Sequence, residues 1–119
     1  NQPWSLITKL PNIKNASLRG ASLRGLHFNH VSFENSDLSK VNFDTTSFDY
    51  VTFKEVKLDD ASFQESTIEN SRFTNSSLVS TDFSEARVYQ SHLDNSNLSD
   101  TNFESAKFGR SYINGKPFN

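Results

Sequence analysis

The chain has 119 residues, of which 34% are apolar, a formal net charge of −2 and no cysteine. Disulfides and thiolate chemistry are excluded. No stretch approaches the roughly 18 apolar residues of a membrane-spanning helix, and the length suits one domain. So low an apolar share would by itself suggest disorder, but the spacing of the apolar residues overrules that reading.

The opening Asn1-Gln2-Pro3-Trp4 lacks the basic-then-apolar pattern of a signal peptide. It also lacks an initiator Met, which leads us to expect a processed chain or a fragment of a larger protein. Trp4, Leu6, Ile7 and Leu10 precede Pro11. They predict a short apolar cap over residues 1–12, about one helical turn, with Trp4 as a lid.

From Ile13 the chain keeps a period of five. Every fifth residue from Leu18 to Phe118 is Leu, Phe, Ile or Val, and all eleven phenylalanines fall in this register. Two residues before almost every one stands a small or β-branched residue, such as Ala16, Val31, Ser36, Val41, Ala61, Ser66, Thr81 or Ala106. The period fits neither a helix of about 3.6 residues per turn nor a strand alternating every two. A chain that turns a corner once per unit returns each apolar residue inward. Four units then make a squarish coil of about 20 residues, and coils stack at roughly 4.8 Å. Residues 13–119 give a little over five coils. Leu26 is bulky for its slot. At the far end, Tyr112 to Asn119 stay in register, with Gly115, the charged Lys116 and Pro117 predicting a final frayed coil without a capping segment.

Units such as Ala21-Ser22-Leu23-Arg24-Gly25, Ser36-Asp37-Leu38-Ser39-Lys40 and Ser96-Asn97-Leu98-Ser99-Asp100 resemble the A(D/N)LXX consensus of the pentapeptide-repeat proteins. The resemblance covers about nine tenths of the chain. It implies an all-β fold, a right-handed quadrilateral β-helix, and the handedness rests on the resemblance alone.

Catalytic chemistry is not expected. His27 and His30 are close, but His92 lies about three coils away, so the three do not form a metal site. No serine stands in a strained turn beside a histidine and an acid. The four glycines form no phosphate-cradling loop, and a convex rod lacks the water-excluding pocket that acid–base work needs. Neither cofactor nor metal is implied.

The surface carries the remaining information. With a 20-residue coil, Glu34 lies over Lys54, Asp37 over Lys57 and Lys40 over Asp60, solvated pairs worth a few tenths of a kcal/mol each. Asn35, Glu55, Asn75 and Asn95 form a polar ladder. Residues 1–33 hold Lys9, Lys14, Arg19 and Arg24 and no acid. Residues 34–105 hold all fourteen acids against five bases, a balance of −9, and Lys107, Arg110 and Lys116 follow. The face around Phe43, Phe63, Phe83 and Phe103 displays Asp44, Glu65, Asp82, Glu85 and Glu104 without a base among them. These five are the candidate partner-binding residues, fitted to a protein with a basic surface.

The expected function is a non-catalytic protein–protein interaction scaffold. The resemblance allows this as a module of a larger protein, such as a bacterial effector. It also implies an alternative, a DNA mimic that binds DNA gyrase and inhibits it or protects it from quinolones. The weak net charge, the basic first coil and the absence of a dimer-forming module after the repeats count against that alternative. Direct nucleic-acid binding is not expected, because the bases form no continuous stripe. Cytoplasmic and secreted locations both remain open, and a transmembrane one does not.

Overall fold

The computed structural model describes residues 4–118. Asn1, Gln2 and Pro3 of the expected cap and Asn119 of the last unit lie outside the described residues. The strands are three residues long. In chain order the first six are β1 (Asn12–Lys14), β2 (His27–Asn29), β3 (Ser32–Glu34), β4 (Ser47–Asp49), β5 (Thr52–Lys54) and β6 (Thr67–Glu69). They continue as β7 (Arg72–Thr74), β8 (Arg87–Tyr89), β9 (His92–Asp94), β10 (Lys107–Gly109), β11 (Ser111–Ile113) and β12 (Lys116–Phe118).

Each strand through β9 pairs in parallel with the one a coil later. Phe33 lies beside Phe53 and Phe53 beside Phe73, a shift of one 20-residue coil. The odd strands form one side of the rod and the even strands β2 to β10 the adjacent side. The other two sides are not strands. Each turns, and meets its neighbour through single bridges such as Asp37 to Lys57 and Ser62 to Asp82. One of these sides points Leu18, Leu38, Leu58, Leu78 and Leu98 inward, the other Leu23, Phe43, Phe63, Phe83 and Phe103.

The residue before the inward one explains the difference between sides. On the two turned sides it is repeatedly Asp or Asn, whose side chain accepts the amide two residues on. Asp37 Oδ1 accepts from Ser39 N at 2.9 Å, Asn42 Oδ1 from Asp44 N at 2.8 Å and Asp82 Oδ1 from Ser84 N at 2.8 Å. Such Asx turns offer the backbone an alternative to a strand ladder. On the strand sides the same place holds Thr52, Thr67, Arg72, Arg87 and His92, which fit a pleated surface better.

Corners are made by one left-handed residue per unit. Every fifth residue from Asn15 to Gly115 has positive φ, between 47° and 78°. Ten of these 21 positions are Asn, Asp or Gly, which reach this region readily. Thr45 and Tyr50 also occupy it.

The interior is a set of ring columns. Phe33, Phe53 and Phe73 stack at 5.0 and 4.5 Å, and Phe43, Phe63 and Phe83 at 4.9 and 4.7 Å. Rings of different columns meet edge to face near 6.2 Å. Where the slot two residues earlier is serine, its hydroxyl in most cases accepts a backbone amide from the coil above, while Ser66 Oγ donates to the Phe63 carbonyl. Ser71 Oγ takes Val51 N at 3.1 Å, Ser91 Oγ takes Ser71 N at 3.2 Å and Ser111 Oγ takes Ser91 N at 3.2 Å. A buried amide left unpaired costs about 1–3 kcal/mol, so small polar residues serve here beside Val and Ala. Leu26 fits its slot half-buried against the core.

A five-residue 3-10 helix, Ser5–Lys9, lies over the first coil, with Ile7 buried and Trp4 packed against the core. At the far end the chain departs from the expected path. Asn114 (φ 51°) and Gly115 (φ 78°) are both left-handed, the signature of a two-residue hairpin turn. The chain therefore reverses, and β12 runs antiparallel to β11. Phe118 keeps the five-residue register but arrives from outside the coil. Its ring meets Phe103 and Phe108 edge-on at 5.2 and 4.2 Å. The stack ends in a folded-back strand where a frayed coil was expected. Among the described residues no helix is long and apolar enough to cross a membrane.

Candidate protein-binding surfaces

The five acidic candidates all lie on the Phe43 side or at its corner with the even strands, but in two different conditions. Asp44 and Asp82 are turned into the structure. Asp44 Oδ1 accepts from the Ser62 hydroxyl and from Gln64 N at 2.9 Å, and its Oδ2 lies 3.6 Å from Arg24 Nη1. Asp82 accepts from Ser84 N and, at 2.6 Å, from Gln64 Nε2. Burial works to raise the Asp82 pKa, but the hydrogen bonds from Gln64 and Ser84 outweigh it and hold the carboxyl below its ordinary value. These two acids are fastened to neighbouring coils.

Glu65, Glu85 and Glu104 are exposed. Glu65 and Glu85 sit at left-handed corner positions one coil apart. They share a shallow groove of about 310 Å³ with Arg87, Ser105 and Lys107. Counting charge by repeat unit misses these two bases, because they belong to the next side round the corner. Arg24 was missed similarly, since its unit opens the same side one coil earlier. The acidic stripe is thus narrower than its five residues suggest, and its outward charge rests on three glutamates.

The expected ion pairs are register neighbours, Glu34 beside Lys54 and Asp37 beside Lys57. Among the described residues the contacts within 4.0 Å are others: Lys14 to Glu34 at 4.0 Å, Arg24 to Asp44 and Arg72 to Asp94 at 3.8 Å. The asparagine ladder lines an open groove of about 670 Å³ with Glu55, Asp37 and Lys57. Among the described residues no three potential metal ligands cluster. His30 instead stacks on Tyr50 at 4.9 Å and His92 on Tyr112 at 5.2 Å.

The model of the pentapeptide repeat region family matches residues 12–83 and again 46–117. The chain is a pentapeptide repeat protein. Its fold is that of a right-handed quadrilateral β-helix of about five coils. A pentapeptide repeat protein of the Arabidopsis thaliana thylakoid lumen superposes with a TM-score of 0.62 at 16% identity, over 87% of this chain and 66% of its own. This chain therefore spans just under two thirds of that protein. A pentapeptide repeat protein from the cyanobacterium Cyanothece gives 0.47 at 10% identity, covering 86% and 84% of the two chains. Trypsin-treated QnrB1, a plasmid-mediated fluoroquinolone resistance protein, gives 0.46 at 12%, covering 82% and 72%. At such identities the likeness is one of fold. No curated protein sequence matches the chain.

Proposed function

We infer that this pentapeptide repeat protein is a non-catalytic scaffold that binds another protein along its Phe43 side. The observation that carries the reading is the placement of Glu65, Glu85 and Glu104, exposed along one side and its corner, whose inward Leu23, Phe43, Phe63 and Phe83 are buried. Such a surface meets its partner without rearrangement, and its charge favours a basic one. The perturbed acid on this side, Asp82, is lowered and stays ionised at neutral pH, the opposite of a poised proton donor. Cross-linking in the source cell with Glu65, Glu85 and Glu104 all changed to Lys tests it. Loss of the partner is expected, and undiminished cross-linking removes this side as the interface.

The gyrase-directed DNA-mimic reading fares worse on charge density. Duplex DNA carries one charge per about 1.7 Å of axis, roughly 22 over the 37 Å length of this rod. The chain carries a net −2. Unchanged gyrase supercoiling at micromolar protein, with and without a quinolone, is the expected result.

A further inference from the structure

All three tyrosines, with His30 and His92, lie along one ridge, where the even-strand side turns into the odd-strand side. Tyr89 ends an even strand, His30 and Tyr50 stand at the corner, and His92 and Tyr112 begin or nearly begin odd strands, while His27 begins an even strand at the far edge of that side. The five-residue register does not require this, because it governs inward positions only. In the lower half of the ridge cations share the two sides with the aromatic residues. Of the five bases after Asp60, Arg110 stands at the corner and Arg72 begins the odd strand β7, while Arg87 and Lys107 begin the even strands that lead to the ridge. Arg72 is tied to Asp94, and Arg87 and Lys107 border the Glu65 and Glu85 groove on their far edge. Arg110 is exposed at the corner between Tyr89 and Tyr112. Glu69 and Asp94 are the acids of these two sides in this half, and Glu85 stands two residues before Arg87.

The rings are held in defined positions. His92 and Tyr112 are register neighbours with planes 20° apart. Their normals therefore run along the rod and their edges face outward. Tyr89 lies beside Gly109 in register, and a Cβ at Gly109 would come within 2.9 Å of the Tyr89 ring. The missing side chain gives the ring its seat.

We propose that the ridge formed by Tyr89, His92 and Tyr112, with Arg87, Lys107 and Arg110, docks an acidic segment of a partner protein. The proposal rests on the scaffold reading and gives the rod a second surface, opposite in sign to the first. Arginine forks match carboxylates, and aromatic ring edges carry the positive end of the quadrupole. Tyr and Arg are also the residues that most often dominate protein interfaces. Single-stranded nucleic acid fits less well, since a base needs a free ring face and His92 and Tyr112 each cover one face of the other.

The test is fluorescence anisotropy of a labelled oligoglutamate peptide with the whole chain at low salt, with oligothymidine and anionic vesicles as competitors. Binding should weaken about tenfold or more in Arg110→Glu and in Tyr89→Ala. Gly109→Ala keeps every charge and both phenols but unseats the Tyr89 ring, and should also weaken binding. Thermal melts matching the parent show that these variants fold. Peptide binding unchanged by Tyr89→Ala and Gly109→Ala would mean charge attraction without a site, and overturns the proposal. So does absent binding, or displacement by oligothymidine or vesicles at lower concentration than by unlabelled peptide. Glu65→Lys with Glu85→Lys should leave peptide binding undiminished. Failure on the acidic side is thereby separated from failure on the ridge.

Discussion

Phe63 and Phe103 occupy the same slot on the same side, two coils apart, and the structure treats them differently. Phe63 is fully buried, with Phe43 stacked on one face at 4.9 Å and Phe83 on the other at 4.7 Å. Phe103 has Phe83 on one face at 5.4 Å, but its other neighbours, Phe108 and Phe118, meet it edge-on, and it is only half-buried. In a solenoid each coil is stabilised by its own fold and by the coils it touches. An interior coil has two such interfaces and the last has one plus a folded-back hairpin. The same repeat unit therefore differs in energetic value with position, which no single unit's sequence reveals.

The largest test of that contrast is truncation of each ring. Phe63→Ala should cost about 3–5 kcal/mol, because the stacked rings above and below cannot close the cavity. Phe103→Ala should cost about half as much, since less surface is buried to begin with. Denaturant unfolding measures both, and equal losses would break the comparison. Hydrogen exchange should further show that Phe103→Ala releases the last coil and β12 while protection around Phe53 and Phe63 stays.

A smaller effect concerns the corners. Thr45 lies in the centre at φ 57°, a β-branched residue in the left-handed region, while Gly115 makes the terminal hairpin turn at φ 78°. Left-handed backbone costs an ordinary residue about 1–2 kcal/mol. Thr45→Gly relieves that strain but adds freedom to the unfolded chain, so a net gain of about 0.5–1 kcal/mol is expected. Gly115→Ala should lose about 1 kcal/mol through the backbone alone, because nothing lies within 4 Å of the added Cβ. Its loss should appear as exchange confined to the last coil. A destabilised Thr45→Gly would show that the Thr45 hydroxyl, bonded to the Asp44 carbonyl at 2.6 Å, outweighs the strain.

The interior was legible in the sequence because one physical requirement, an apolar residue at each inward point, repeats without a break from Ile13. The 20-residue coil and parallel stacking followed from it. The division into two strand sides and two turned sides was also written there, in the Asp or Asn at positions 37, 42, 82, 97 and 102, but the inward register does not display it. Phe118 was legible as apolar and illegible as a reversal. Its residue type fits both paths, and only the paired left-handed Asn114 and Gly115 decide between them. The surface was read least well. Arg24, Arg87 and Lys107 reach the acidic stripe across a coil or round a corner, and a count made unit by unit separates neighbours that the fold joins. The gathering of tyrosine and histidine on one ridge escaped the same way, since its members are 20 or 23 residues apart or on adjoining sides.

Asp82 offers the smallest and most local check on how far the centre is fastened from coil to coil. It reaches Gln64 in the coil before its own, and its folded pKa lies below the ordinary value of 3.8 because the hydrogen bonds from Gln64 and Ser84 outweigh its burial. A carboxyl depressed in the folded state binds its proton more readily when unfolded. Its contribution to stability is therefore complete above the unfolded carboxylate value and is lost as pH falls through the folded one. Melting temperature followed downward from neutral pH should show this as part of the acid limb of the parent protein. Asp82→Asn keeps an acceptor for the Ser84 amide but cannot titrate, so its melting temperature should be lower than the parent's at neutral pH and fall less steeply below about pH 4. Gln64→Ala removes the inter-coil donor while leaving the acid, and should shift the loss toward higher pH. An acid limb identical in the parent and in Asp82→Asn would place the titrating groups elsewhere and leave the Gln64 to Asp82 contact without a measurable part in holding these coils together.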